Sequence, residues 1–143
     1  HDVPLPVPTE EELAYGKALQ ATMKLSKADQ AKPLFADKVL DPAPPVAHGG
    51  STDTADVSWV TPTVQLHIGT AVGGTPGHSW QTVAQGKNPF ARRAMLYAGK
   101  ALALAAVQLF EDPEILIQAK KEHLEKTGGI YEPAMPADVM PHL

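Results

Sequence analysis

One segment of this chain, Thr61 to Val72, alternates as a strand does, with Val64, Leu66 and Ile68 set against Gln65 and His67. No second stretch of the 143 residues repeats that pattern convincingly. A lone strand cannot satisfy its own backbone N–H and C=O groups, so it needs a sheet built from other strands. The expectation is a strand whose sheet partners this sequence hardly supplies.

The remaining order is helical. Thr9 followed by Glu12 is a capping-box pattern, and Glu10 and Glu11 add negative charge where the helix dipole favours it. A helix is expected over 9–24, its apolar stripe formed by Leu13, Ala14, Ala18, Leu19 and Met23. From 25 to 50 the periodicity fails. Pro33, Pro42, Pro44 and Pro45 forbid a long helix and remove donors from any central strand, which leaves a connector expected to lie across another surface.

Asn88 then Pro89, and Asp112 then Pro113, are two cap-plus-proline starts and predict a helical pair over 88–127, stopped by Gly128 and Gly129. In the first of these helices Arg92, Lys100 and Gln108 fall eight apart on an otherwise apolar cylinder, as in a buried helix that flanks a sheet. Residues 128–143 form a tail without periodicity. The apolar run Ala101 to Phe110 falls short of the roughly 20 residues a membrane span requires, so no membrane partner is expected.

Composition removes several chemistries. Twelve Lys and Arg against 16 Asp and Glu, with the basic residues scattered, disfavour nucleic-acid binding. With no cysteine there is no thiolate metal site, thiol nucleophile or disulfide framework. The chain opens on His1 without a methionine or a basic-plus-apolar signal segment and carries 14 Pro and 11 Gly, from which a piece of a larger protein is expected.

Functional punctuation is densest in 51–86 and just before it. His48-Gly49-Gly50-Ser51-Thr52-Asp53 precedes the strand segment, and Gly77-His78-Ser79-Trp80-Gln81 follows it. Glycines let backbone approach a ligand closely. Ser51 and Asp53 either cap a short helix over 54–59 or face a substrate. His67 is most simply a polar residue on the outer strand face. His78 lies in a loop at a strand end, where a scaffold holds functional side chains. Neutral imidazole suits zinc, but a catalytic zinc takes about three protein ligands, and no H-x-x-H, H-E-x-x-H or carboxylate cluster supplies the others. There is no Gly-x-Ser-x-Gly elbow, and Gly73-Gly74-Thr75-Pro76-Gly77 lacks a P-loop lysine.

Three strings together carry a resemblance: Gly-Gly-Ser-Thr-Asp at 49–53, Asp-Val-Ser-Trp-Val-Thr-Pro at 56–62, and Gly-Thr-Pro-Gly-His-Ser-Trp-Gln at 74–81, continued by Val83-Ala84-Gln85-Gly86. The chain resembles the C-terminal segment of the aminobenzoyl-glutamate hydrolase group, within the metallopeptidase and amidohydrolase family that includes aminoacylases and glutamate carboxypeptidase. The resemblance implies the returning part of a three-layer α/β sandwich catalytic domain, with the other strands and the lid domain absent from this chain.

The resemblance further implies two divalent metal ions, zinc or manganese, and hydrolysis of an N-acyl amino acid or aminobenzoyl-glutamate-like amide. His78 matches the family's last metal-ligating histidine. Ser51, Thr52 and Asp53 match a segment beside the substrate pocket, and the catalytic glutamate is expected outside this chain. A cytoplasmic, homo-oligomeric or heteromeric enzyme is implied, in which this chain pairs with the N-terminal part of its domain and is inactive alone. The rival expectation is a noncatalytic binding or assembly module.

Overall fold

A computed structural model describes residues 3–41, 52–133, 135, 136, 138 and 139. It contains six helices among those residues: α1 (Glu10–Gln20), α2 (Lys27–Gln30), α3 (Thr54–Val60), α4 (Trp80–Gln85), α5 (Pro89–Glu111) and α6 (Pro113–Thr127). The chain divides into two compact units, His1–Ala43 with Leu66–Ala106, and Pro44–Gln65 with Val107–Leu143.

Among the described residues there is no strand. Residues 62–70, whose alternation predicts one, run as irregular chain without a ladder. The physical reason lies in the strand's own requirement: alternation sets which side chains share a face, but pairing needs a second backbone at hydrogen-bonding distance. The connector also differs from expectation, since α2 interrupts it and is capped by Ser26, whose hydroxyl accepts from the Asp29 amide at 3.1 Å. Residues 42–50 of that connector lie outside the described residues.

In the first unit, α1 begins where the capping box places it. The Glu12 amide donates to Thr9 Oγ1 at 3.2 Å and the Thr9 amide donates to Glu12 Oε2 at 2.8 Å. The helix ends at Gln20 instead of continuing to 24, and a turn closed by Thr22 and Met23 amides on the Leu19 and Gln20 carbonyls takes over. The core consists of Phe35, Val72, Phe90 and Ala94, with Leu13, Leu34 and Ile68 packed around it. Phe35 and Phe90 meet at 4.4 Å between ring centroids with a 43° tilt, a geometry aromatic quadrupoles favour.

Connector residues 33–36 are therefore structural, supplying Phe35 to the core while the Gly73 amide donates to the Leu34 carbonyl at 2.8 Å. Gly73 makes this approach possible, since a Cβ there would sit 2.6 Å from the Pro33 carbonyl oxygen. The next residue, Gly74, has a φ of 81° that suits glycine, and a Cβ there would sit 2.6 Å from Leu25 Cδ2.

Arg93 joins α5 to α1. Its Nη1 and Nη2 donate to Glu12 Oε1 and Oε2 at 3.0 and 2.6 Å, and Nη2 also donates to the Val7 carbonyl at 3.1 Å. That two-pronged bond is the main reason the Glu12 carboxyl lies below its ordinary range, although burial opposes it.

The helix α5 is not the buried cylinder its composition suggests. Only Phe90 and Ala94 are buried, while Met95, Leu96, Leu102 and Phe110 are exposed. By length and composition α5 is also long and apolar enough to cross a membrane, which the shorter run read from the sequence is not.

The second unit is held by lighter means. Neither α3 nor α6 has a buried residue. Asp112 Oδ1 accepts from the Glu114 amide at 3.1 Å to start α6, and Gly128, at φ 70°, ends it in the left-handed conformation. His123 Nε2 lies 3.0 Å from the Ser58 carbonyl, and Tyr131 OH donates to Asp56 Oδ1 at 2.9 Å. The latter bond, to a carboxylate, raises the Tyr131 phenol above its ordinary value.

Candidate functional site

His78 stands on a turn in the first unit that connects Val72 to α4. Pro76 and Gly77 shape the approach, and His78 itself has φ 54°, in the left-handed region. Among residues with side chains histidine enters that region more readily than most, but such a conformation persists only where neighbours determine the turn.

Those neighbours are identifiable. Ser79 and Thr82 hydroxyls both donate to the Pro76 carbonyl at 2.7 Å, and Ser79 Oγ also accepts from the Thr82 amide, which starts α4. The short helix α4 is absent from the sequence expectations for 51–86. Ser79 is its N-cap, a signal present in the sequence but overshadowed by the adjacent histidine.

Beneath the turn lies Gln85, 3% exposed. Its Oε1 accepts from the Val72 amide at 2.7 Å, and its Nε2 donates to Thr75 Oγ1 at 3.1 Å and to the Gln81 carbonyl at 2.9 Å. Thr75 Oγ1 in turn donates to the Val72 carbonyl at 2.7 Å. The turn and α4 are tied to α1 as well: Gln20 Nε2 donates to the Gly73 carbonyl in the turn at 3.2 Å, and Tyr15 OH to the Ala84 carbonyl in α4 at 3.1 Å. A buried amide with three partners satisfies the requirement that polar groups in a core be hydrogen-bonded. The signal that could have found it is the four-residue spacing of Gln81 and Gln85, which puts two amides on one face of a helix.

His78 is exposed, and its imidazole is a nitrogen donor of the kind that suits divalent zinc. The donor set does not close, however: among the described residues no group of three His, Cys, Asp or Glu gathers. His78 fits one position of a metal site, and the described part of this chain does not make such a site by itself.

Thr52 and Asp53, the other expected site residues, belong to the second unit and are exposed. Asp53 precedes α3 with helical backbone angles and makes no side-chain cap bond. Thr52 takes that task, its Oγ1 accepting from the Thr54 amide at 3.3 Å. Ser51 lies outside the described residues, as do His48, Gly49 and Gly50.

A separate groove of about 470 Å³ in the first unit is bordered by Glu11, Tyr15, Lys87, Asn88 and Arg93. It includes none of the residues expected from the sequence to carry chemistry.

Over 92 residues, 64% of its length, the chain is 39% identical to a subunit of the p-aminobenzoyl-glutamate hydrolase of Escherichia coli (strain K12). The chain is a relative of that protein. It spans about a fifth of the relative's length, 19%. No protein-family model and no solved structure matches it. The similarity supports the kinship that the Gly-Gly-Ser-Thr-Asp and Gly-His-Ser-Trp-Gln strings suggest.

Proposed function

We propose that this chain is part of a metal-dependent amidohydrolase that cleaves the amide bond of an aminobenzoyl-glutamate-like substrate or another N-acyl amino acid. The observation that carries the reading is His78 held in a left-handed turn by a hydrogen-bonded scaffold, in a chain related to a hydrolase subunit of that name. A backbone conformation that costs about 1–2 kcal/mol for most residues is retained at one exposed histidine.

In this reading His78 supplies one imidazole ligand to one of two divalent ions, zinc or manganese. Such ions activate water and polarise the substrate carbonyl when bound. The part of this chain is to hold that imidazole still, through the Ser79 and Thr82 hydroxyls on Pro76 and the Gln85 amide below, while Thr52 and Asp53 offer polar groups to the substrate. The remaining ligands and the catalytic glutamate would come from other polypeptide, within an α/β sandwich to which residues 62–70 would add a strand. The chain alone is inactive, and the whole works as a cytoplasmic oligomer.

The test is hydrolysis of p-aminobenzoyl-glutamate by the complete protein with zinc or manganese supplied. The His78→Ala variant is expected to lose turnover by at least about a hundredfold, the scale on which single essential groups act. Wild-type turnover by that variant would remove the proposal.

A second reading, a noncatalytic assembly module, draws on the exposed apolar side chains Met95, Leu96, Leu102 and Phe110 of α5 and on the relative being named as one subunit of a hydrolase. It predicts partner binding that survives His78→Ala and no hydrolysis in either form.

A further inference from the structure

We infer that the groove between α1 and the link from α4 to α5 binds a free amino acid, holding its ammonium group from one wall and its carboxylate from the other. The inference stands apart from the reading of His78, since no residue of the histidine turn borders this groove.

The groove has a volume of about 470 Å³, within the roughly 300–1,000 Å³ typical of small-molecule sites. Its charged residues are Glu11, Glu12, Lys87 and Arg93. Glu12 and Arg93 neutralise each other: the carboxylate is buried, and the guanidinium meets its two oxygens at 3.0 and 2.6 Å. One charge of each sign is left. Glu11 lies on α1 and Lys87 on the link, and among the described residues neither forms an ion pair, with the other or with any third group.

Each of these charges has a neutral neighbour of the same hydrogen-bonding role. Tyr15 stands one turn from Glu11 on the same face of α1. Its hydroxyl proton goes to the Ala84 carbonyl at 3.1 Å, so its oxygen is left to accept. Asn88 adjoins Lys87, and its Oδ1 takes the Phe90 amide at 2.8 Å, which leaves its Nδ2 to donate. The α1 wall therefore offers acceptors and the other wall donors.

An anion alone would be repelled by Glu11, and a cation alone by Lys87. A molecule with an ammonium and a carboxylate on one carbon answers both walls, while Tyr15 and Pro89 offer ring surface to its side chain. The Glu12–Arg93 and Tyr15–Ala84 bonds brace the walls before any ligand arrives, so binding has little ordering to overcome.

The experiment is equilibrium dialysis of labelled L-leucine against the complete protein, as wild type, Glu11→Gln, Lys87→Ala and His78→Ala. N-acetyl-L-leucine and L-leucinamide, each lacking one of the two charges, serve as competitors. Glu11 and Lys87 are exposed, so neither substitution opens the core, and circular dichroism checks each fold. Saturable binding is expected in wild type and unchanged in His78→Ala. Each groove variant is expected to weaken it about tenfold, the scale of one hydrogen bond to a charged group, and neither analogue should compete.

No saturable binding at millimolar L-leucine overturns the inference. So does wild-type affinity in either groove variant, or competition by either analogue equal to that of unlabelled L-leucine, since one end of the grip would then be missing. Loss of binding in His78→Ala overturns it as well, whatever the groove variants do. Undiminished hydrolysis by His78→Ala, with L-leucine binding still lost at Glu11 and Lys87, removes the hydrolase reading alone and leaves this one standing.

Discussion

The two units of this chain contrast in how they hold their candidate functional residues. In the first, His78 rides on a turn clamped by a buried amide and backed by the Phe35–Phe90 core. In the second, Thr52 and Asp53 precede a helix with no buried residue, and the local bonds are between exposed groups. The contrast teaches that a motif's chemical content and its mechanical support are separate properties. A hydroxyl-and-carboxylate string can be as suggestive as a glycine-histidine turn, and only one of the two here has buried hydrogen bonds beneath it.

The largest expected effect tests whether the first unit's rigidity comes from its core. Phe90→Ala is predicted to cost about 3–5 kcal/mol, the usual penalty for truncating a buried aromatic, read from urea unfolding. Leu116→Ala on α6, where the residue is 42% exposed, should cost less, about 1–2 kcal/mol, because only part of a leucine's burial is lost. Equal losses at the two positions would erase the contrast.

Next comes the ion pair between α1 and α5. The Glu12 carboxyl has a folded-state pKa lowered from the ordinary 4.5 by its bond to Arg93. Stability from this pair is therefore fully present above the unfolded-state value and is lost as pH falls through the lower, folded one. Arg93→Ala should lower the unfolding midpoint clearly at pH 7, and the gap to wild type should narrow as pH drops below about 4.5. A gap independent of pH would show that Arg93 acts by packing on Phe90, whose ring lies 5.8 Å from the guanidinium.

Smaller still, Thr9→Ala removes a capping hydroxyl and is expected to cost about 1 kcal/mol, as N-cap losses typically do, seen as a reduced midpoint with an unchanged m-value. The smallest effect is at Asp53. Lacking a cap bond, Asp53→Ala should alter stability by less than about 0.5 kcal/mol. Any effect on hydrolysis by the complete protein would then report contact with substrate, and its absence would withdraw Asp53 from the pocket.

Several features could be read directly from residue order. Thr9 with Glu12 announced α1 and its reciprocal cap, and Asp112-Pro113 with Gly128 bracketed α6, because caps, prolines and left-handed glycines act within one turn of chain. The histidine turn stood out for the same reason. What stayed hidden involved residues far apart in sequence. Phe35, inside a connector that looked structureless, reaches Phe90, and Arg93 reaches Glu12 across 81 positions. No local pattern encodes such pairs.

Alternation is limited in a different way. In 61–72 it described a side-chain arrangement correctly suited to a strand, yet residues 62–70 carry no ladder, since pairing is a property of two backbones. Likewise the apolar surface of α5 was visible as composition, while its exposure depends on what packs against it.

By itself the sequence determined where α1, α5 and α6 start and where α6 stops, which chemistries lack their residues, and the kinship carried by its glycine-rich strings, since these depend on neighbouring residues or on residue identity alone. Only the tertiary structure decided that Gln85 sits under the His78 turn and that the Asp53 side chain leaves its helix uncapped. Both depend on where backbone donors come to lie in space, and burial then sets how much each bond matters by removing water as a substitute partner.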